Sequence, residues 1–175
     1  MYIRNATIHD LQAVTAVEAE CFPAAEAASE ASFRARLQSY PEHFWLLYDE
    51  GASNENAFNK DISDGDILVG FVNGMVTDEP DLRDEMYDNA SLHNEHGKWQ
   101  MIFGVNTIPA YRRKGCAEQI LKQVIADAKS QGREGLVLTC KDRLIHYYAK
   151  FGFVNEGISQ SVHGNVGWYQ MRLRF

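Results

Sequence analysis

The sequence predicts an α/β fold in a single domain, residues 1–175. Apolar runs typical of strands, such as HFWLLY at 43–48, alternate with segments of helical periodicity, such as 115–131. The stretch from Trp99 to Cys140 has the order strand, turn, helix, strand. A chain of 175 residues that is 45% hydrophobic can close one substantial core and is short for two domains.

The N-terminal elements are a strand and two helices. Tyr2–Ala6 reads as a strand, and Thr7 with Asp10 three residues later has the form of a capping box at a helix start. Pro23 marks where this helix has ended. Its apolar stripe recurs at near-helical spacing, at Leu11, Val14, Val17 and Cys21. Phe33 and Leu37 predict a second helix.

The middle of the chain predicts a hairpin and a long polar connection. The strands His43–Tyr48 and Asp66–Val76 are separated by a polar tract over 49–65, which we expect to be an exposed loop. Residues 77–99 are rich in acidic side chains and predict a surface connection with one helical turn near Leu82–Met86.

The C-terminal half is more regular. A strand from Trp99 to Thr107 and a turn at Pro109 precede a helix from about Gly115 to Gln131. The apolar face of this helix consists of Ile120, Leu121, Val124, Ile125 and Ala128. The predicted elements that follow are the strand Gly135–Cys140, a short helix over Asp142–Lys150, and closing strands from Phe153 and over Trp168–Phe175.

The net charge of the chain disfavours two classes of partner. With 24 acidic and 17 basic residues the formal charge is −7, which repels phosphate backbones and anionic lipid, so we expect neither nucleic-acid nor membrane binding.

The start MYIRNATIHDLQ has no signal-peptide pattern. The three cysteines show no C-x-x-C spacing, which is typical of a reducing compartment, and the expected location is cytoplasmic.

The segment Arg112-Arg113-Lys114-Gly115-Cys116-Ala117 lies between a predicted strand and a predicted helix. Unpaired N–H groups and the dipole of a helix N-terminus favour a diphosphate, and small residues let its backbone approach the ligand. A basic helix start on the surface explains the same residues equally well. Neither G-x-x-x-x-G-K-S/T nor G-x-G-x-x-G occurs, which disfavours ATP and NAD.

The chain resembles the GNAT superfamily of N-acetyltransferases, whose motif R/Q-x-x-G-x-G/A is matched by Arg112-x-x-Gly115-x-Ala117. The resemblance runs over nearly the whole chain and is strongest from Trp99 to Phe153. Its details are most similar to the serotonin (arylalkylamine) N-acetyltransferase branch, in its bacterial form. The stretch LTCKDRLIHYYAKFGF, residues 138–153, aligns Tyr148 with the catalytic tyrosine of that branch.

The resemblance implies a mixed, mostly antiparallel sheet of six or seven strands, splayed at one parallel pair, with helices on both faces. It implies acetyl-CoA as cosubstrate, with the pantetheine arm against the backbone near 105–107. The pyrophosphate is expected at the N–H groups of 113–117, with three basic side chains adding charge. The implied cofactor-binding residues are Val105, Asn106, Thr107, Arg112, Arg113, Lys114, Gly115, Cys116 and Ala117.

The implied chemistry is direct attack of a primary amine on the thioester, without a covalent acyl-enzyme. A phenol with a reference pKa of ~10 stays protonated at neutral pH, so Tyr148 suits protonation of the departing thiolate. Met101 and Phe103 stand where the animal enzymes have two histidines that help to deprotonate the amine. The replacement base is left open among Glu20, Glu26, His96, His163 and an ordered water.

The acceptor is expected to be a small (aryl)alkylamine. The aromatic residues taken to favour a closed pocket are Phe33, Phe44, Trp45, Phe103 and Trp168. Acidic residues that would attract a cationic amine are Asp78, Glu79, Asp81, Asp84, Glu85 and Asp88. The alternatives are acetylation of a protein N-terminus or lysine, and a catalytically silent acyl-CoA sensor.

No metal is expected, because His93-Asn94-Glu95-His96 lacks the H-E-x-x-H order and an obvious third ligand. The oligomeric state is left open, with a homodimer among the options.

Overall fold

A computed structural model describes residues 1–50 and 65–175 of the chain. The strands in these residues are β1 (Tyr2–Asn5), β2 (Phe44–Asp49), β3 (Ile67–Asn73), β4 (Val76–Thr77), β5 (Trp99–Ile102), β6 (Gly104–Thr107), β7 (Gly135–Cys140), β8 (Val154–Ile158) and β9 (Tyr169–Arg174). The helices are α1 (Leu11–Cys21), α2 (Glu30–Ser39), α3 (Glu85–Asp88), α4 (Cys116–Ser130) and α5 (Ile145–Ala149).

The chain forms two compact units, each with its own sheet. The first unit comprises Met1–Asn73 and Gly104–Val124, and the second comprises Gly74–Phe103 and Ile125–Phe175. The sheet of the first unit is antiparallel, with the order β1-β2-β3-β6. The sheet of the second unit has the order β4-β5-β7-β9-β8, and β5 with β7 is its parallel pair.

The α/β class and the mostly antiparallel pairing with a parallel pair are confirmed, but the described strands form two sheets rather than one sheet of six or seven. The strand predicted from Trp99 to Thr107 is interrupted at Phe103, and its halves β5 and β6 belong to different sheets. The strand predicted over Asp66–Val76 is divided between β3 and β4 in the same way. A glycine lies at each interruption, Gly104 and Gly74, and an isolated glycine in a strand pattern indicates an irregular strand but not a change of sheet.

The core of the first unit is built on the hairpin of β2 and β3, which the sequence predicts and the register Trp45↔Val72 confirms. The tract predicted as the loop of this hairpin lies, over residues 51–64, outside the described residues. Phe33, Phe44 and Trp45 are at most 1% exposed. Their expected place in a ligand pocket is wrong, because their rings are packed in the core, with the Phe33 and Phe44 centroids 6.2 Å apart.

The N-terminal helix begins as predicted. Thr7 and Asp10 form a capping box around a short 3₁₀ turn, and α1 follows directly at Leu11. The Thr7 N–H donates to Asp10 Oδ2 at 2.7 Å. Leu11, Val14 and Val17 are buried, so the predicted stripe is the face that α1 packs against β3 and β6.

In the second unit β7 has the predicted bounds, Gly135–Cys140. The helical turn predicted in the acidic connection over residues 77–99 is found about one turn later in the chain, as α3. The short helix predicted after β7 is a 3₁₀ turn followed by α5. Within residues 1–50 and 65–175, no helix has both the length and the apolar character needed to cross a membrane.

Candidate active site

Strand β6 carries the residues expected to bind pantetheine, and it is the last strand in its sheet. It pairs with β3 on one side, in the register Gly70↔Thr107 and Val72↔Val105. An edge strand presents a row of backbone N–H and C=O groups on its other side, and an extended amide-containing ligand can pair with them. The Thr107 hydroxyl is buried and has no hydrogen-bond partner among the described residues.

The turn after β6 contains two residues in left-handed conformation and leads into α4. Arg113 and Gly115 both take left-handed backbone conformations, with φ of 62° and 78°. Gly115 precedes the helix, and its carbonyl oxygen accepts the first helical hydrogen bond, from the Gln119 N–H at 3.0 Å. The N–H groups of the first helical turn have no intrahelical acceptors. A Cβ added at Gly115 would meet no atom within 4 Å, so the space in front of this helix start is open.

The basic residues of the turn have different surroundings. Arg112 turns back toward β6, and its Nε donates to the Thr107 carbonyl oxygen at 3.1 Å. Lys114 lies over the ring of Tyr111, with Nζ 5.1 Å from the centroid, and the Tyr111 hydroxyl donates to Asp49 at 2.7 Å. Arg113 is exposed. Arg112 therefore supports the end of β6 as well as adding charge.

Tyr148 lies on α5 in the second unit and is 7% exposed. The rings of Tyr147 and Phe153 are 5.2 Å and 6.0 Å from its ring. Burial raises the pKa of the Tyr148 phenol well above its ordinary value, and Cys140 and Tyr147 raise it further. Burial also raises the pKa of the Cys140 thiol, to about 11. Both groups are therefore protonated at neutral pH.

The second unit also contains a group of half-buried rings, which lie on different parts of the chain. We call this group the aromatic cluster, and its members are Tyr87, Phe103, His163 and Trp168. Tyr87 is at its centre, 4.9 Å from Phe103 and 5.0 Å from His163 between ring centroids. The Trp168 ring is 6.1 Å from His163, and its Nε1 donates to the His163 carbonyl oxygen at 2.7 Å. Phe103 and Trp168, expected near the acceptor, are thus brought together.

The loop that carries His163 is held by a carboxylate of the acidic connection. Asp84 accepts hydrogen bonds from the Ser161 hydroxyl at 2.5 Å and from the Val162 N–H at 3.0 Å. His163 was one of the predicted bases, and the structure places it in the aromatic cluster. Of the other predicted bases, Glu20 and His96 are exposed and Glu26 is half-buried.

Several of the acidic side chains expected to attract an amine are engaged in the protein instead. Asp81 pairs with the buried guanidinium of Arg172 at 3.1 Å. Arg83 lies 3.5 Å from Glu79 and 2.9 Å from Glu85. The nearby imidazole of His93 accepts a hydrogen bond from the Val76 N–H at 3.1 Å.

Glu18 is a candidate functional residue that the sequence reasoning missed. It is 6% exposed, and its two carboxylate oxygens accept hydrogen bonds from Asn106 Nδ2 at 2.6 Å and from the Ala28 N–H at 3.0 Å. A signal was present, because Glu18 follows Val14 by four residues and so lies on the apolar stripe of α1. A carboxylate on such a stripe is buried and must have partners.

The fold of this chain is shared with solved structures that it matches over nearly their whole length. GphF, a GNAT-like decarboxylase in complex with isobutyryl-CoA, is 23% identical over 99% of each chain, with a TM-score of 0.79. The NatC complex bound to Gag peptide and CoA is 14% identical over 99% of this chain and 98% of that one, with a TM-score of 0.74. An alanine N-acetyltransferase of a ribosomal protein from Escherichia coli is 16% identical over 99% and 92%, with a TM-score of 0.64.

The family model described as acetyltransferase (GNAT) family matches residues 11–153, which include β6, the turn before α4 and Tyr148. The match covers most of the chain, and the expected fold and enzyme class are confirmed. This chain belongs to the GNAT family of acetyltransferases.

Proposed function

We propose that this enzyme transfers the acetyl group of acetyl-CoA to the primary amine of a small aryl-alkyl acceptor by direct attack, with Tyr148 as the acid. The observation that carries the proposal is the place of Tyr148, a buried phenol on α5 at the position of the motif that aligns with the catalytic tyrosine of arylalkylamine N-acetyltransferases. Such a phenol stays neutral and can donate a proton to a leaving thiolate.

The cofactor residues of the first unit fit coenzyme A. The free edge of β6 offers the backbone groups of Val105, Asn106 and Thr107 to the amides of pantetheine, and the buried Thr107 hydroxyl lacks a protein partner among the described residues. The first turn of α4, with Gly115, Cys116 and Ala117, offers N–H groups to the pyrophosphate. The side chains of Arg112, Arg113 and Lys114 add positive charge at the same turn.

The sulfur of Cys116 has no role in this proposal. Cys116 is 2% exposed, and burial raises its pKa although Lys114 lowers it. A buried neutral thiol is a packing group, and the backbone N–H of this residue is what a phosphate would contact.

The aromatic cluster supports an aryl acceptor. Tyr87 and His163 are stacked at 26° and half-buried, and stacking with a planar ring is a contact that such side chains make. This is also what supports membership of the serotonin N-acetyltransferase-like branch. Acetylation of a protein N-terminus or of lysine, and a silent acyl-CoA sensor, are the competing outcomes.

We further propose that residues 1–175 act as one catalytic domain in the cytoplasm. The family match draws on both units, since residues 11–153 include parts of each. All three cysteines are free thiols, as expected in a reducing compartment.

The experiment is thiol release from acetyl-CoA against a panel of aryl-alkyl amines, polyamines and N-terminal or lysine peptides, with mass spectrometry of the product. Release with aryl-alkyl amines that is lost in Tyr148→Phe supports the proposal. Tyr147→Phe, which removes the neighbouring phenol, is the matched control and should retain activity. Release with peptides alone would show that the acceptor is a protein N-terminus or lysine rather than a small amine. CoA binding without thiol release from any acceptor would show that the protein is an acyl-CoA sensor.

A further inference from the structure

The connection between β8 and β9, residues 159–168, carries two members of the aromatic cluster, His163 and Trp168, and we call it the 159–168 loop. The two ends of the loop are joined, because the Ser159 N–H donates to the Trp168 carbonyl oxygen at 2.7 Å. The Trp168 Nε1 donates to the His163 carbonyl oxygen, also at 2.7 Å. Both rings therefore depend on one loop backbone, and a contact that fixes this backbone also fixes the rings.

The tip of this loop depends on polar contacts. Val162, directly before His163, is 70% exposed, so apolar packing of its side chain does not hold the tip. Gly164 and Asn165, directly after His163, have left-handed backbone conformations, with φ of 64° and 54°. This conformation is uncommon for a residue with a side chain, and it persists where surrounding contacts hold it.

Asp84 supplies such contacts from a distant part of the sequence. Its Oδ1 accepts a hydrogen bond from the Ser161 hydroxyl at 2.5 Å, and its Oδ2 accepts one from the Val162 N–H at 3.0 Å. The Ser161 Oγ accepts in turn from the His163 N–H at 3.3 Å. The carboxylate therefore holds the two residues that precede His163, and hydrogen bonds to a charged acceptor are about twice as strong as neutral ones.

Asp84 is also tied to the ring at the centre of the aromatic cluster. It directly precedes α3, and its carbonyl oxygen accepts a hydrogen bond from the Tyr87 N–H at 3.1 Å. The Tyr87 ring is stacked on His163 with the centroids 5.0 Å apart. Asp84 thus contacts the backbone on both sides of this stack, through its carbonyl group on the Tyr87 side and through its carboxylate on the His163 side.

We infer that Asp84 is a positioning residue, which fixes the 159–168 loop so that His163 and Trp168 stand where the aryl ring of the acceptor binds. Through this loop it determines the preference for aryl over aliphatic amines. The sequence suggested that the charge of Asp84 attracts the amine, whereas its hydrogen bonds assign the carboxylate to the loop. This inference rests on the proposed function, to which it adds a residue that determines acceptor selectivity.

The test compares Asp84→Ala with wild type in steady-state kinetics, with 2-phenylethylamine and with hexylamine. The KM for 2-phenylethylamine should rise about two- to tenfold, the loss expected when one ring-stacking contact is no longer held in place. The KM for hexylamine, the KM for acetyl-CoA and kcat should stay the same. Loss of attraction by charge would raise the KM for both cationic amines equally, and that result would overturn the inference.

Two further variants separate positioning from a general loss of stability. Asp84→Asn keeps the side-chain shape but has one acceptor oxygen for two donors, so its KM for 2-phenylethylamine should lie between those of wild type and Asp84→Ala. Glu134→Ala removes a carboxylate from an exposed position of the same unit and should behave as wild type. A merely structural role for Asp84 would lower the melting temperature and leave the ratio of the two amine KM values unchanged.

A double-mutant cycle tests whether Asp84 acts through the stacked rings. Once Tyr87→Leu has removed one of these rings, loss of the Asp84 carboxylate should have little further effect. The KM of Asp84→Ala/Tyr87→Leu for 2-phenylethylamine should therefore lie within about twofold of the larger single effect. Independent effects that multiply would show that Asp84 does not act through the aromatic cluster.

Tryptophan fluorescence tests the loop independently of catalysis. Of the three tryptophans, Trp45 and Trp99 are 1% and 5% exposed and Trp168 is half-buried, so quenching by acrylamide reports mainly on Trp168. Asp84→Ala should be quenched more strongly than wild type and Glu134→Ala. Quenching equal to that of wild type would overturn the inference.

Failure of the proposed function is a separate outcome. If wild type acetylates no aryl-alkyl amine, the acceptor class is wrong and the aryl selectivity is wrong with it, and the quenching still decides whether Asp84 holds the loop. If wild type acetylates 2-phenylethylamine and Asp84→Ala matches it in KM and in quenching, the proposed function stands and the positioning role is wrong.

Discussion

Arg112 donates a hydrogen bond from Nε to the carbonyl oxygen of Thr107, at 3.1 Å, and so ties the start of the basic turn to the end of β6. The first basic residue of the motif is therefore also a support for the strand that is proposed to hold pantetheine. Lys114 rests on the Tyr111 ring and has no such link to β6 in the contacts described.

Arg112→Ala should weaken acetyl-CoA binding in a way that high salt does not erase, because the end of β6 loses a support worth about 0.5–1.5 kcal/mol. Lys114→Ala should lose mainly screened attraction, so its defect should nearly vanish at about 1 M salt, where the Debye length is about 3 Å. Calorimetric titration at low and high salt measures both. Identical salt dependence in the two variants would contradict the supporting role of Arg112.

Gly115→Ala should lose both stability and cofactor affinity. At φ 78° an alanine is strained by about 1 kcal/mol or more, and its methyl group enters the open space at the start of α4. Gly132, beyond the other end of α4, also has φ 78° and open space, so Gly132→Ala is a matched control with equal strain. Urea denaturation should show similar losses in both, and only Gly115→Ala should bind acetyl-CoA more weakly.

Asp10 should make the first unit sensitive to acid. Burial raises the pKa of its carboxyl, but the Arg4 guanidinium, the Thr7 N–H and the Tyr48 hydroxyl outweigh burial, so the pKa lies below its ordinary value. The associated stability is present above the unfolded pKa of about 3.9 and is lost as the pH falls through the folded value. Asp10→Asn should cost about 1–3 kcal/mol at pH 7 and much less near pH 2. Urea midpoints at both pH values test this, and an equal gap at both would refute it.

Tyr87→Leu should raise the KM for 2-phenylethylamine about two- to tenfold, because one ring-stacking interaction contributes about 0.5–1.5 kcal/mol. The KM for an aliphatic amine should stay the same. Tyr2→Leu removes a comparable stacked ring, 5.6 Å from Tyr48, and should leave both values unchanged. If Tyr87→Leu raised the KM for both amines equally, the aromatic cluster would not be the site that binds the aryl group.

The regular parts of the fold could be predicted from the sequence because local signals determine them. The capping box at Thr7 and the limits of β7 can be predicted from short sequence patterns, without tertiary information. The change of sheet at Phe103 could not be predicted in this way, because an isolated glycine such as Gly104 indicates an irregular strand but not a change of sheet.

The site was harder to predict than the fold. Aromatic residues look alike in a core and in a pocket, so Phe33, Phe44 and Trp45 were expected in a pocket although they pack in the core. Glu18 could not be identified from the sequence alone, because a carboxylate on a buried helical stripe depends on the partners that folding brings to it, here Asn106.

The central claim is that Tyr148 is the acid, and the turnover number of Tyr148→Phe tests it most directly. With the best amine of the panel, kcat should fall about 10²- to 10⁴-fold while the affinity for CoA is unchanged and Tyr147→Phe remains active. A Tyr148→Phe enzyme that binds CoA normally and turns over at the wild-type rate would contradict the account.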